Sequence, residues 1–256
     1  MQYSEVLSEL PSEFSVLDKS PDKIFYRGNL SLLNAKKVSI VGARKAFPYS
    51  RHQTQALASE LSKRGVCVVS GGAMGIDSLA HEGAYPNTIA VLANGLDIVY
   101  PKVNKKLFEK MSKEGLLLSE YEDGEEARAY RFVHRNRLVV ALGEVLVVAQ
   151  ADLNSGSMRS VEFALETGKK IYVLPHRLGE SEGTMQLLHD GKAELITNVK
   201  SFAENFGNCV NDMDEFLSFC SKGPSYEEAI AFDNTKTFEY ELLGKIKVVN
   251  GFICVI

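Results

Sequence analysis

Six strand-length apolar runs punctuate the first two thirds of the chain: VSIVG (38–42), VCVVS (66–70), TIAVLA (88–93), LLLS (116–119), VLVVAQ (145–150) and IYVLP (171–175). They are rich in β-branched residues, bounded by Gly, Ser or Pro, and mostly apolar end to end. Strands of that kind are covered on both faces. Between them, 49–64, about 76–84, 103–113, 134–143 and 157–167 carry apolar residues at helical spacing. The alternation predicts an α/β protein, with a parallel or mostly parallel sheet and helices on both sides. Gly168-Lys169-Lys170 reads as a helix stop, glycine near C′ and cations at the negative end of the dipole.

Around this domain, expected over 36–200, lie shorter pieces. Residues 1–35 read as a lead-in with turn signals at Pro11, Ser20-Pro21 and Arg27-Gly28-Asn29. Residues 201–224 read as an acidic linker. The end of the chain, 225–256, reads as a small module, a helix followed by a hairpin that turns at Asn250-Gly251.

At 256 residues, 45% hydrophobic and 24% charged, the composition is that of a globular protein with a substantial core. No apolar run is long enough to cross a bilayer, and the N-terminus has no signal-peptide pattern, so a cytoplasmic protein is expected. Cys67, Cys209, Cys220 and Cys254 show no C-x-x-C pairing, in keeping with a reducing compartment. The net charge of −4 hides an asymmetry. Five cations and no acid lie between Lys36 and Gln55, four arginines and no acid between Ala127 and Gly143, and nine acids against two lysines over 201–241. A polyanion would therefore meet a focused patch, although a charge run alone is usually a solvated face.

Three segments place small residues just past strand ends. Gly42 ends a strand before Arg44 and Lys45; Gly71, Gly72 and Ala73 separate a strand from a helix; Ser155, Gly156 and Ser157 open another helix. In a doubly wound sheet such loops converge on one edge, where glycine admits a ligand and helix N-termini attract anions. None is a G-x-G-x-x-G or Walker fingerprint. The segment ARAYRFVHRNRLVVAL interleaves Tyr130 and Phe132 with Arg128, Arg131, Arg135 and Arg137. Aromatics and guanidinium groups of that spacing stack on bases and hold phosphates. The competing reading packs Phe132 in the core and pairs Arg135 or Arg137 with Glu120 or Glu162; for the arginines the absence of a nearby acid in sequence favours DNA. Catalytic candidates are thin. No two of the five histidines have ligand spacing; Asp77 reads as a helix cap and Asp97 as a turn organiser before Tyr100-Pro101. No metal site, cofactor site or catalytic residue is expected.

Taken in order, PDKIFYRGN, VGARKAFPYSR, SGGAMGIDSLAHEGA, VLANGLDIVYPKVNKKL, RFVHRNRLVVAL and SGSMRSVEFALETGKKIYVLP resemble the DprA/Smf family over roughly 21–197. The resemblance implies an extended Rossmann-like fold and a homodimer. It further implies a single-stranded-DNA-binding protein that protects incoming DNA and loads the RecA recombinase during natural transformation. By motif, Arg44 becomes a main phosphate ligand, Gly71, Gly72 and Ala73 backbone donors, and Asn136 and Arg137 pocket residues. Phe132 stacks on or wedges against a base, Ser155, Gly156 and Ser157 cap a phosphate, and Lys169 extends the track. The C-terminal module resembles a reduced winged-helix domain. The sequence departs from the family pattern at Ala43, where Ser or Thr is usual, at Pro175-His176 in place of Pro-Gly, and at Thr184-Met185. The long N-terminal helical region of some members is mostly absent.

Two other readings compete. A nucleoside-monophosphate-processing hydrolase of the lysine-decarboxylase-like phosphoribohydrolase type shares such glycine loops, but carries P-G-G-x-G-T-x-x-E. The corresponding ADLNSGSMRSVE puts Ser160 after Gly156-Ser157 and leaves Glu162 out of register. A nucleotide-sensing module would bind mononucleotides without preferring longer oligomers.

Overall fold

The computed structural model describes residues 4–207 and 215–255. The chain forms two compact units, Met1–Cys209 and Val210–Ile256.

The first unit is built on nine strands: β1 (Glu5–Val6), β2 (Phe25–Gly28), β3 (Lys37–Gly42), β4 (Cys67–Ser70), β5 (Thr88–Leu92), β6 (Leu116–Ser119), β7 (Leu146–Gln150), β8 (Ile171–Val173) and β9 (Glu194–Leu195). Their order is β1-β2-β6-β5-β4-β3-β7-β8-β9. From β6 to β9 every neighbouring pair is parallel, while β1 and β2 run antiparallel at one edge. The chain steps outward from β3 through β4 and β5 to β6, then returns to place β7 on the other side of β3. That reversal is the switch point where α/β sheets of this kind open a crevice beyond the strand ends.

Helices α1 (Pro48–Ser62), α2 (Ile76–Ala84), α3 (Lys105–Met111), α4 (Ala129–Leu142), α5 (Gly156–Glu166), α6 (Glu182–His189) and α7 (Val199–Glu204) complete the unit. Residues alternating along each strand feed two apolar layers. Cys67, Val69, Ile89 and Val91 pack with Leu138, Leu142, Val161 and Ala164 of α4 and α5. Val38, Ile40, Val68 and Val147 pack with Leu57, Leu61, Ile76, Ala80 and Phe202 of α1, α2 and α7. The central strands are covered on both faces, which is why they are apolar throughout.

The lead-in is not separate from this domain. β2 pairs with β6, and Gly28, at φ +115°, brings its backbone so near α3 that a side chain there would meet the Met111 carbonyl. The expected linker is also divided differently. α7 belongs to the first unit through Phe202, whose ring lies 4.9 Å from that of Tyr172. Residues 208–214, with Cys209, lie outside the described residues, and the stretch after them is helical.

The second unit holds α8 (Glu215–Cys220), α9 (Tyr226–Phe232), α10 (Asn234–Leu242) and the hairpin β10 (Ile246–Val249) and β11 (Phe252–Val255). Its small core is Phe216, Leu217, Cys220, Ala229, Ile246 and Ile253. Ser225 and Glu228 form a reciprocal capping box at the start of α9. Asn250 and Gly251, both at positive φ, make the two-residue turn that closes Val249 onto Phe252, as expected for Asn-Gly. Among the described residues no helix is long and apolar enough to cross a membrane.

Candidate functional site

The loops after β3, β4 and β7 meet at the switch point, and hydrogen bonds stitch them together. Ala43 donates its N–H to the Gln150 carbonyl at 2.9 Å and accepts from Ile76 N–H at 3.1 Å. Gln150 Oε1 takes the Phe47 N–H at 2.9 Å. Gly75 lets the second loop touch the first: at φ +86°, a Cβ on it would collide with the carbonyls of Ala43 and Arg44.

Above these loops opens a cavity of about 740 Å³, closed on one side by the N-terminal half of α4. Of the residues expected at a phosphate site, Gly42, Arg44, Lys45, Gly71, Ala73, Phe132, Arg135, Asn136, Ser155, Gly156 and Ser157 line it. Arg44 and Lys45 are exposed at its mouth. The Arg44 guanidinium lies over the Phe132 ring, 5.5 Å from its centre, and makes no ion pair among the described residues. Phe132 is half-buried and packs its other contacts against Tyr100, ring centres 5.7 Å apart. The core reading of Phe132 does not describe this position, since the ring lines the cavity.

The floor is charged. Arg135 is 4% exposed and donates from Nη1 to the Val91 carbonyl. Asp77 accepts the Ala73 N–H at 3.3 Å, so it ties down the loop that precedes α2 and leaves the helix cap to Gly75. Burial raises the Asp77 pKa against the opposing pull of Arg135, and burial lowers that of Arg135. Gly71 sits between the two, and a methyl group there would collide with Arg135 and stand 2.5 Å from Asp77 Oδ2. Beneath it His81 is fully buried, with Nε2 2.7 Å from the Gly71 carbonyl and Nδ1 2.7 Å from the Thr88 hydroxyl. Burial pulls its pKa down to about 4, so the ring is neutral.

Polar groups in the lining lack partners. Arg135 Nε, Ser155 Oγ and Ser160 Oγ are buried with no hydrogen-bond partner among the described residues. Ser155 stands at the N-cap of α5, whose leading N–H groups, at Gly156 and Ser157, have no carbonyl to reach within the helix. Leaving a buried polar group unpaired costs about 1–3 kcal/mol, so three in one cavity mark a place for a polar ligand. A helix N-terminus and two cations beside them suit an anion, with the carboxylates of Asp77 and Asp152 in the same lining.

Three expected site residues lie elsewhere. Arg137 is turned away from the cavity and pairs with Glu120 at 2.6 Å, both side chains nearly buried. Lys169 donates to the carbonyls of Ala141 and Gly143, closing the C-terminal end of α4 from the next strand's approach. Gly72 faces the core, where a side chain would run into Leu92 and Phe108, and its carbonyl accepts from Asn104 at 3.1 Å. The arginine run of α4 is likewise mostly spoken for: Arg131 pairs with Glu125 and stacks 4.2 Å above Tyr121. The partners lie just upstream of the acid-free stretch, Glu125 before Arg131 and, for Arg137, the Glu120 that the competing reading named. Asp97, expected to organise its own turn, accepts the Gly124 N–H at 2.9 Å.

A family model for DNA recombination-mediator protein A matches residues 3–207. The chain belongs to that family. It is 36% identical over 201 residues to the DNA processing protein DprA of Streptococcus pneumoniae, a match covering 77% of this chain and 71% of that protein. With the protein Smf of Synechocystis it shares 33% identity over 214 residues, 80% of this chain but 52% of the relative, so it spans about half of that protein's length. Among solved structures it superposes on DNA processing protein A from Helicobacter pylori, a protein described by a unique single-stranded DNA binding mode. The TM-score is 0.78 and the identity 42%, covering 79% of this chain and 94% of the other. The matched region of the DNA recombination-mediator protein A family contains the whole cavity. Tyr100 and Ser160 are cavity residues that motif reading passed over. Tyr100 was read only as the residue that the Asp97 turn leads into, and Ser160 shows its role only through α5 periodicity, one turn beyond Gly156.

Proposed function

We propose that the chain binds single-stranded DNA, protects incoming strands and loads the RecA recombinase in natural transformation, acting as a cytoplasmic homodimer without catalysis. The observation that carries the reading is the exposed Arg44, with no ion pair among the described residues, stacked on half-buried Phe132 at the mouth of the cavity. Guanidinium and backbone N–H groups suit the sugar–phosphate chain, and the aromatic pair Phe132 and Tyr100 offers a platform for an unpaired base. The single-stranded DNA binding described for the Helicobacter pylori relative supports it.

The hydrolase alternative needs a glutamate at the start of α5. Glu162, the nearest candidate, points away and pairs with Arg159 at 2.7 Å on the exposed face of the helix. The test is a binding titration of single- and double-stranded oligonucleotides of several lengths across a salt series. Preference for single strands, rising with length and falling steeply with salt, is the expected result. Binding that saturates with mononucleotides, or release of free base from nucleoside monophosphates, overturns it.

A further inference from the structure

A second cavity, of about 510 Å³, lies beside the first and is lined by Phe47, Tyr49, Pro175, His176, Arg177 and Glu180. The two are neighbours through one short stretch of chain: Lys45 lines the first and Phe47 the second, at most about 7 Å apart along the backbone. Both walls are anchored on β7. Phe47 N–H bonds Gln150, and His176 Nε2 donates to the Ala149 carbonyl at 2.9 Å.

The lining is chemically unlike the first cavity. Phe47 and Tyr49 are each 43% exposed, an unusual openness for large aromatics, and His176 meets the Tyr49 ring edge-on at 6.0 Å. Because a carbonyl can only accept, Nε2 carries the proton, and Nδ1, bare in that tautomer, is an acceptor; it is buried with no hydrogen-bond partner among the described residues. Glu180 adds a carboxylate. Flat aromatic walls with acceptors at the edge repel a phosphate and suit a planar, apolar-faced group with N–H donors. Arg177, exposed at the rim, fits the phosphate attached to it.

We propose that this cavity is a nucleobase subsite, taking the unpaired base of the nucleotide next to the one whose phosphate occupies the Arg44 cavity. Bases with an exocyclic amino group are favoured over thymine, because they offer donors to Glu180 and His176. His176, at the position where a Pro-Gly pair was expected from the family pattern, supplies one wall, so the subsite is a property of this chain's own residues. The inference rests on the DNA-binding reading.

The experiment titrates labelled di- and octanucleotides, all-thymine or all-cytosine, against the full chain and the variants Tyr49→Ala, His176→Ala, Glu180→Gln and Arg44→Ala. Tyr49→Ala and His176→Ala are expected to weaken binding of both lengths about tenfold, the loss of one base–aromatic stack, because a dinucleotide already carries the neighbouring base. Glu180→Gln, a conservative change at the surface, is expected to erase a several-fold preference for cytosine over thymine. Arg44→Ala should weaken both lengths. If Tyr49→Ala and His176→Ala match the parent on the octanucleotide, or cytosine is not preferred, the subsite is overturned while the DNA-binding reading stands. If the parent chain binds no oligonucleotide, both fall together.

Discussion

Arg44 and Phe132 come from loops and helices 88 positions apart in sequence, and they meet face to face at 5.5 Å. The ring holds the guanidinium extended over the cavity, so the charge is presented to a ligand instead of sweeping through solvent. Replacing Arg44 by alanine removes an exposed side chain with no ion pair among the described residues, and the fold should be unaffected. Single-strand affinity should fall on the order of tenfold to a hundredfold, the worth of a charged hydrogen bond. The slope of log affinity against log salt should flatten by about 0.7. Gel shift across a salt series, beside a thermal melt, measures both.

Phe132→Ala is expected to act on the other half of the contact. Affinity should drop by about fivefold or more, as for the loss of a stacking platform, with the salt slope nearly intact. A change of slope equal to that of Arg44→Ala would mean that Phe132 acts only by placing the charge.

Gly71 and Gly156 line the same cavity yet should respond in opposite ways to an added methyl group. At Gly71 the methyl strikes Arg135 and crowds Asp77, so Gly71→Ala should destabilise by about 1–3 kcal/mol. At Gly156 nothing lies within 4 Å, and Gly156→Ala should melt with the parent. Urea denaturation of the pair is the measurement.

Arg137→Ala should fail through stability. It leaves Glu120, whose side chain is 11% exposed, with His134 Nδ1 at 3.5 Å in place of a guanidinium, at a cost of about 3 kcal/mol. The salt dependence of DNA binding, measured well below the melting temperature, should not move.

His81 makes stability depend on pH. Its pKa falls from an ordinary 6.5 to about 4 on folding, so above 6.5 both states are neutral and the folded state suffers no penalty. As the pH drops from 6.5 towards 4 only the unfolded chain takes up the proton, and stability declines by about 3 kcal/mol. Denaturation curves from pH 7.5 to 4 should show that decline, and His81→Asn should flatten it.

The central strands and helices were legible in the sequence because burial on both faces leaves continuous apolar runs, and each observed strand from Lys37 to Val173 overlaps its expected run. α4 begins five residues before its expected start at 134, because Arg131 lies on its buried side and its charge hides the periodicity. β1 and β2 were not legible: Glu5–Val6 is two residues long, and Phe25–Gly28, between it and β6, is short and without alternation. In the site, glycine and serine turns were readable from backbone chemistry, whereas the fate of each arginine was not. Arg135 and Arg137 look alike in sequence, and only packing sends one to Asp77 and the other to Glu120.

The loops that line the cavity rise from β4, β3 and β7, which lie side by side in that order. Neighbouring strands stand about 4.8 Å apart, so these three handholds together span roughly 10 Å. A long filament laid across them is gripped a link or two at a time, and sheathing its whole length becomes a question of how many copies line up along it.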